Sequence, residues 1–310
     1  MKVAILDDYQ NAALDLADWS QVARKAQITV FTDNLADPDA VVERLAPFDV
    51  ICVMRERTLL PREVLERLPN LKLIASTGPR NAAIDTAAAQ ARGIAVTHTG
   101  YLPASTIEMT WALILASGRH LVEEVNTVRA GGWQTRIGRE LRGRVLGVLG
   151  LGNIGREVAR IGLAFGMKVI AWSQNLTPAA AEAAGVELVT REALFRQSDY
   201  LSIHLILSER TRGLVGAAEL ALMKPSAHLI NTSRGPITVE ADLVAALREK
   251  RIAGAALDVF DVEPLPAAHP FRTLDNVYAT PHVGFVAEDL YRLFYGEAAA
   301  AIDAWIQTQP

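Results

Sequence analysis

Several features that would each point to a function are missing from this chain. Cysteine occurs once in 310 residues, as Cys52. That excludes an internal disulfide framework and thiolate metal clusters, and no metal site is expected. Lys and Arg total 31 against 35 Asp and Glu, and the basic residues form no block, which argues against nucleic acid as a partner. No apolar run nears the length of a bilayer span, so no membrane partner is expected. The opening MKVAILDDYQ has neither the apolar stretch nor the small-residue cleavage site of a signal peptide, which makes a cytoplasmic location the expectation. Short repeats, low-complexity tracts and Ser/Pro-rich linkers are absent too. What the chain does have is apolar bulk. Half its residues are hydrophobic and its mean hydropathy is +0.17, enough for sizeable cores in two domains.

Short β-rich runs alternate with amphipathic stretches. VAILDD, ITVFTD, DVICVM, LKLIAS and GIAVTH read as strands buried on both faces, separated by segments of helical spacing. Such alternation predicts a parallel sheet with helices on both sides. A long helix follows, with Ser105 as its cap and Glu108 as capping-box partner. Ile107, Trp111, Ile114, Leu121, Val125 and Val128 give it one apolar face until Gly131-Gly132. A second α/β run opens at GRVLGVLGLGNIG and supplies seven more strands, and an amphipathic helix from Glu288 to Ile306 closes the chain. The expected fold is α/β, two Rossmann-like or flavodoxin-like parallel-sheet domains with a cleft between them. Residues 1–99 with 285–310 would form the substrate domain and 100–284 the dinucleotide domain, joined by ordered elements that suit closure on a hinge.

GLGNIG, Gly150 to Gly155, fits G-x-G-x-x-G between a buried strand and a helix. In that setting Gly150 makes the tight turn, Gly152 lets the backbone approach a pyrophosphate, and Gly155 lets helix and strand pack closely. The helix start, with Asn153 and Ile154, favours the phosphate charge. The ribose-binding position falls about 20 residues on, at Ser173 in the turn AWSQN. An acid there would repel the 2′-phosphate of NADP, and a neighbouring Arg would attract it. Ser173 does neither, so NAD and NADP are both admitted, and the lack of a basic residue favours NAD.

Three further segments lie after later strands. NTSRG carries Arg234, DVFDVEPLP carries Glu263, and ATPHVG carries His282. Ligands in parallel sheets bind beyond the carboxyl ends of strands, so these side chains can converge beside the dinucleotide. Together they suit reduction of a 2-oxo acid. Arg234 would hold the carboxylate and polarise the ketone through hydrogen bonds worth about 1.5–3 kcal/mol each. His282 would protonate the carbonyl oxygen as hydride reaches carbon, and Glu263 would favour the charged imidazole. Taken singly, each has an ordinary alternative as a turn cap, a solvated acid or a satisfied histidine.

From Leu141 onward the stretches LRGRVLGVLGLGNIG, HLILSERTRGLV, MKPSAHLINTSRG, AALDVFDVEPLP and TPHVG closely resemble the D-isomer-specific 2-hydroxyacid dehydrogenases. STGPRNAAIDTAAAQARGIAV and STIEMTWALILASGRH upstream fit the same family. The resemblance implies that Arg234, Glu263 and His282 are catalytic. It implies a homodimer interlocked through the cofactor domain, and an amino-terminal domain completed by the last helix. It also places Asp258 at the nicotinamide carboxamide, with Thr232, Gly284 and His204 lining the cofactor site.

Three positions depart from the family pattern. Where its members commonly read G-V-G-x-D, this chain has Gly78-Pro79-Arg80, and Pro79 has no N–H to give a substrate carboxylate; Arg80 is expected to compensate. Arg55 matches a substrate-facing position of members acting on phosphoglycerate, but Ser76 stands where those tend to carry Arg. Phe285 stands where a small residue is common, either narrowing the pocket or packing between domains. Formate dehydrogenase, with Gln in place of Glu263, and dinucleotide-sensing corepressors of the same fold are the rival readings.

Overall fold

The computed structural model describes residues 1–309. Two compact units divide the chain. One is Met1–Leu102 together with Val286 to the end of the described residues, and the other is Pro103–Phe285.

In the first unit the strands are β1 (Lys2–Ile5), β2 (Gln27–Val30), β3 (Val50–Val53), β4 (Leu73–Ser76) and β5 (Ala95–His98). They pair in parallel in the order β2-β1-β3-β4-β5, the flavodoxin-like order. β3 and β4 are buried along their whole length, whereas β2 and β5 are half exposed. The expectation that all five are covered on both faces fails for these two because they are the sheet edges. Asp37 and Asp85 cap the helices Pro38–Leu45 and Thr86–Ala91 by accepting the N–H groups of Ala40 and Ala88. The closing helix, Glu288–Gln307, belongs to this unit and buries Leu290, Phe294, Ala298 and Ile302.

The second unit holds β6 (Val145–Leu149), β7 (Lys168–Trp172), β8 (Glu187–Leu188), β9 (Tyr200–Ile203), β10 (His228–Asn231), β11 (Gly254–Leu257) and β12 (Val277–Ala279). Their order is β12-β11-β10-β9-β6-β7-β8, all parallel. Alternate residues feed two cores, one with Leu149, Ile170, Leu201 and Leu229, the other with Val148, Val169, Tyr200 and Ile230. The strand order reverses between β6 and β9, which in an open parallel sheet is where a ligand binds.

The long helix expected after Pro103 is two helices, Ala104–Arg119 and Leu121–Arg129. His120, at φ +52° in the left-handed region, separates them. Ile107, Trp111 and Ile114 are buried, but Leu121, Val125 and Val128 face solvent, because the turn at His120 ends the apolar stripe. The expected capping box does not form. The helix starts at Ala104, so Ser105 lies inside the first turn with its hydroxyl buried and unpartnered, and Glu108 is exposed. Among the described residues no helix is long and apolar enough to cross a membrane.

Candidate active site

The glycine loop follows β6 at the point of strand-order reversal. Gly150 has φ +104°, and a Cβ there would sit 2.8 Å from the carbonyl oxygen of His204, so both backbone conformation and space require glycine. Its N–H donates to Trp172 O at 2.9 Å, which ties the loop to β7. A Cβ at Gly155 would lie 2.0 Å from Gly150 O, so the helix Asn153–Ala164 rests directly on the loop. At Gly152, the residue before that helix, a Cβ would meet nothing within 4 Å. Open space at that glycine, under the unpaired N–H groups of a helix start, fits a dinucleotide pyrophosphate.

Ser173 follows β7, partly exposed, and its carbonyl accepts Leu176 N–H at 3.0 Å to form the turn. Residues 172–176 include no acid and no base, so nothing in the turn itself discriminates at the ribose. His204 follows β9. Its Nε2 shares a 2.8 Å hydrogen bond with Ser202 Oγ, and burial pushes the imidazole down to about 3, so the ring is neutral. Its backbone carbonyl is the group that crowds Gly150. Thr232, buried after β10, shares a 2.8 Å hydrogen bond with Thr110 Oγ1.

Arg234, Glu263 and His282 all lie in the second unit, in segments that follow β10, β11 and β12. Asn231, the last residue of β10, fixes the Arg234 turn from both sides. Its amide donates to Arg234 O at 3.0 Å, and its Oδ1 accepts Ser233 N–H at 3.0 Å. Glu263 Oε1 accepts Phe260 N–H at 2.9 Å, and its Oε2 lies 2.5 Å from His282 Nδ1. With Nδ1 engaged, Nε2 is the ring nitrogen left for a substrate. The carboxylate fixes the orientation of the imidazole through this contact. His282 has φ +52°, a conformation that non-glycine residues hold only where the surroundings impose it.

Asp258 imposes it. Buried after β11, it accepts Thr280 hydroxyl at 2.6 Å and Val283 N–H at 2.9 Å on Oδ1, and Gly284 N–H at 2.7 Å on Oδ2. Both carboxylate oxygens thus latch the segment that bears His282. Burial pushes the carboxyl up, against the pull of those hydrogen bonds. A Cβ at Gly284 would come within 2.8 Å of Asp258 Oδ2, which explains the glycine. Phe285 is buried with its ring edge-on to His282, centroids 5.4 Å apart, so it packs against the imidazole of its own unit. The latch is absent from the sequence reading, because nothing in ALDVF marks the Asp as a loop holder.

In the first unit, Arg55, Gly78 and Arg80 come together. Arg55 Nη1 donates to Thr77 O at 3.3 Å and to Arg80 O at 3.4 Å, and its guanidinium lies 5.7 Å from the Tyr101 ring centre. A Cβ at Gly78 would fall 1.8 Å from Nη1, so glycine lets the guanidinium cross the loop. Gly78 N–H is taken by Thr99 Oγ1 at 2.7 Å and Pro79 has none. The donors at this loop are therefore guanidinium groups and the Arg80 amide. The Arg80 side chain is exposed.

Comparison with known proteins agrees with this geometry. Residues 111–284 match the family model described as D-isomer specific 2-hydroxyacid dehydrogenase, NAD binding domain. A glyoxylate reductase of Aeropyrum pernix is 45% identical over 230 residues, covering 71% of this chain and 69% of that protein. A hydroxypyruvate reductase of Thermotoga maritima is 36% identical over 281 residues, covering 88% of this chain and 90% of that protein. The crystal structure of a phosphoglycerate oxidoreductase from Vibrio cholerae O395 superposes with a TM-score of 0.95 at 35% identity, covering all of both chains. The chain therefore belongs to the D-isomer-specific 2-hydroxyacid dehydrogenases, NAD(P)-dependent enzymes that interconvert 2-hydroxy and 2-oxo acids.

Proposed function

We propose that this enzyme reduces a small 2-oxo acid of the glyoxylate or hydroxypyruvate type, with Arg234, Glu263 and His282 as its catalytic residues. The observation that carries the reading is the 2.5 Å Glu263–His282 pair, which leaves Nε2 as the proton donor. A reduced nicotinamide held at the glycine loop would supply the hydride for C2. Arg234 holds the substrate carboxylate and draws electron density toward the carbonyl oxygen. His282 Nε2 gives its proton to that oxygen as the C=O bond becomes C–OH, and the Glu263 carboxylate keeps the imidazole oriented throughout. General acid catalysis of this kind contributes about 10²–10⁴ in rate. In the reverse direction the neutral imidazole takes the hydroxyl proton.

Gly150, Gly152, Asn153, Ile154 and Gly155 would hold the pyrophosphate, Ser173 would meet the ribose, and Thr232, Asp258, Gly284 and His204 would border the nicotinamide half. With no charge at Ser173, NADH is preferred and NADPH accepted. Arg55 and Arg80 serve the substrate carboxylate, in place of the N–H that Pro79 lacks. Ser76, buried at the end of β4, offers no cation for a phosphate, which disfavours phosphoglycerate as the substrate. Following nicotinamide absorbance with glyoxylate, hydroxypyruvate, phosphohydroxypyruvate and larger 2-oxo acids, under each cofactor, tests this. Turnover should be highest with the two small acids and NADH. Turnover confined to the phosphorylated acid would refute the substrate assignment.

The same family reading makes the protein a homodimer. Its support is the large hydrophobic side chains that the second unit leaves exposed within 121–137, Leu121 at 55%, Val125 at 40%, Trp133 at 76% and Ile137 at 93%, which association would cover. Val125→Asp should give a monomer by light scattering, and a wild-type monomer would refute the assignment.

A further inference from the structure

Glu263 stands in an exposed segment, 261–263, yet its carboxylate must stay on His282. Packing below this segment is incomplete. A cavity of about 10 Å³, room for about one water, is lined by residues including Thr238, Glu240, Phe260, Asp261 and Phe271, and Thr238 Oγ1 is buried there without a partner. Polar contacts span the same place. Glu240 opens the helix Glu240–Arg248. Its Oε1 lies 2.8 Å from His269 Nε2, and its Oε2 accepts Asp261 N–H at 3.4 Å. His269 Nδ1 accepts Phe271 N–H at 3.2 Å. That nitrogen therefore carries no proton, and the ring proton sits on Nε2, directed at Glu240. The His269 ring packs on Phe271 with centroids 4.7 Å apart, and Phe271 meets Phe260 at 6.2 Å. Phe260 in turn donates its N–H to Glu263, and its carbonyl carbon lies 2.1 Å from where a Cβ of Gly235 would be, beside Arg234.

We propose that Glu240 and His269 are positioning residues for the Glu263–His282 pair, a polar clip that holds the Phe260–Glu263 segment against the Arg234 turn. Neither residue touches the reacting atoms. His269 directs Glu240, Glu240 holds Asp261, and the held segment presents Phe260 N–H and the Glu263 carboxylate in the arrangement His282 needs. Without the clip, Glu263 leaves the imidazole for solvent for part of the time, and fewer encounters find a correctly oriented proton donor. Loss should fall on kcat, because the glycine loop and Arg234 are fixed by other contacts.

The proposal rests on the catalytic reading above, and the test separates the two. His269→Phe keeps the ring packing but has no donor. It should lower kcat about tenfold or more, since small misplacements of catalytic groups cost up to about 10², while KM for NADH and for the 2-oxo acid stays within about twofold. His269→Gln, which restores an amide donor within reach of Glu240, should recover most of the loss. In a Glu263→Gln background His269→Phe should add nothing, because the group it positions is already gone. Glu240→Gln gives a second route to the same cycle, and NADH fluorescence titration verifies a folded cofactor site in each variant. If Glu263→Gln itself leaves kcat unchanged, the catalytic reading falls and the clip with it. If Glu263→Gln slows the enzyme but His269→Phe and Glu240→Gln do not, the clip alone is refuted. Multiplying effects in the double variants, or no recovery by His269→Gln, also refute it.

Discussion

Gly152→Ala and Gly155→Ala should separate cofactor binding from folding, although both remove a glycine from one loop. At Gly152, φ is −83° and a new Cβ meets nothing within 4 Å. Alanine gains about 0.4–1 kcal/mol from reduced freedom of the unfolded chain and loses a comparable amount because it is a poorer helix cap than glycine. Stability should therefore move by less than about 1 kcal/mol. The methyl group takes the space a pyrophosphate needs, so the Kd for NADH should rise at least about tenfold, equivalent to about 1.4 kcal/mol. At Gly155 the Cβ would lie 2.0 Å from Gly150 O, whereas an ordinary C···O contact is about 3.3 Å. Loop and helix must then separate by roughly the difference, and overpacking of this kind costs about 1–3 kcal/mol. For a domain of this size that lowers Tm by about 2–12 °C. Thermal melts and NADH fluorescence titrations on both variants are the assay. Wild-type NADH affinity in Gly152→Ala would refute the phosphate seat, and a Tm loss in that variant as large as in Gly155→Ala would refute the open-space argument.

Two other outcomes follow from charge. Ser173→Asp should lower kcat/KM with NADPH at least about tenfold while leaving NADH nearly unchanged, because a carboxylate repels a 2′-phosphate; parallel kinetics with the two cofactors check it. His228, buried in β10 and stacked on Tyr200 at 5.5 Å, has its imidazole pushed down to about 4, mainly by burial. On acidification the unfolded chain takes up this proton below its ordinary value of 6.5, while the folded protein does not until about 4. Stability is therefore lost as pH falls, by about 2 kcal/mol for this group at about pH 5. His228→Phe should melt less differently between neutral and mildly acid pH than wild type, and an unchanged difference in Tm would count against the buried neutral ring.

The twelve strands among the described residues were legible from apolar runs and breakers, because the central strands of a parallel sheet are covered on both faces and even the half-exposed edges β2 and β5 keep β-branched residues. Arg234, Glu263 and His282 stood out as candidates because each follows a strand end and a parallel sheet gathers those ends, but it was the resemblance of NTSRG, DVFDVEPLP and TPHVG to the family that set them above their ordinary alternatives. Contacts between distant segments were not legible. The resemblance marked Asp258 as a cofactor residue, but only the fold shows both its oxygens spent on 280–284. Glu240 and His269 are 29 positions apart, and no local spacing links them. The Ser105–Glu108 capping box was misread because helix start signals tolerate a shift of one or two residues. At His120 no Gly or Pro announces the left-handed turn that splits the helix.

The central claim is that His282, held by Glu263, delivers the proton during NAD(P)H-dependent reduction of a 2-oxo acid. The most direct measurement is kcat for wild type and His282→Asn with glyoxylate and NADH, alongside the Kd for NADH in each. The account predicts turnover by wild type, a fall of about 10²–10⁴ in the variant, and unchanged NADH affinity. Near wild-type turnover by His282→Asn would contradict it.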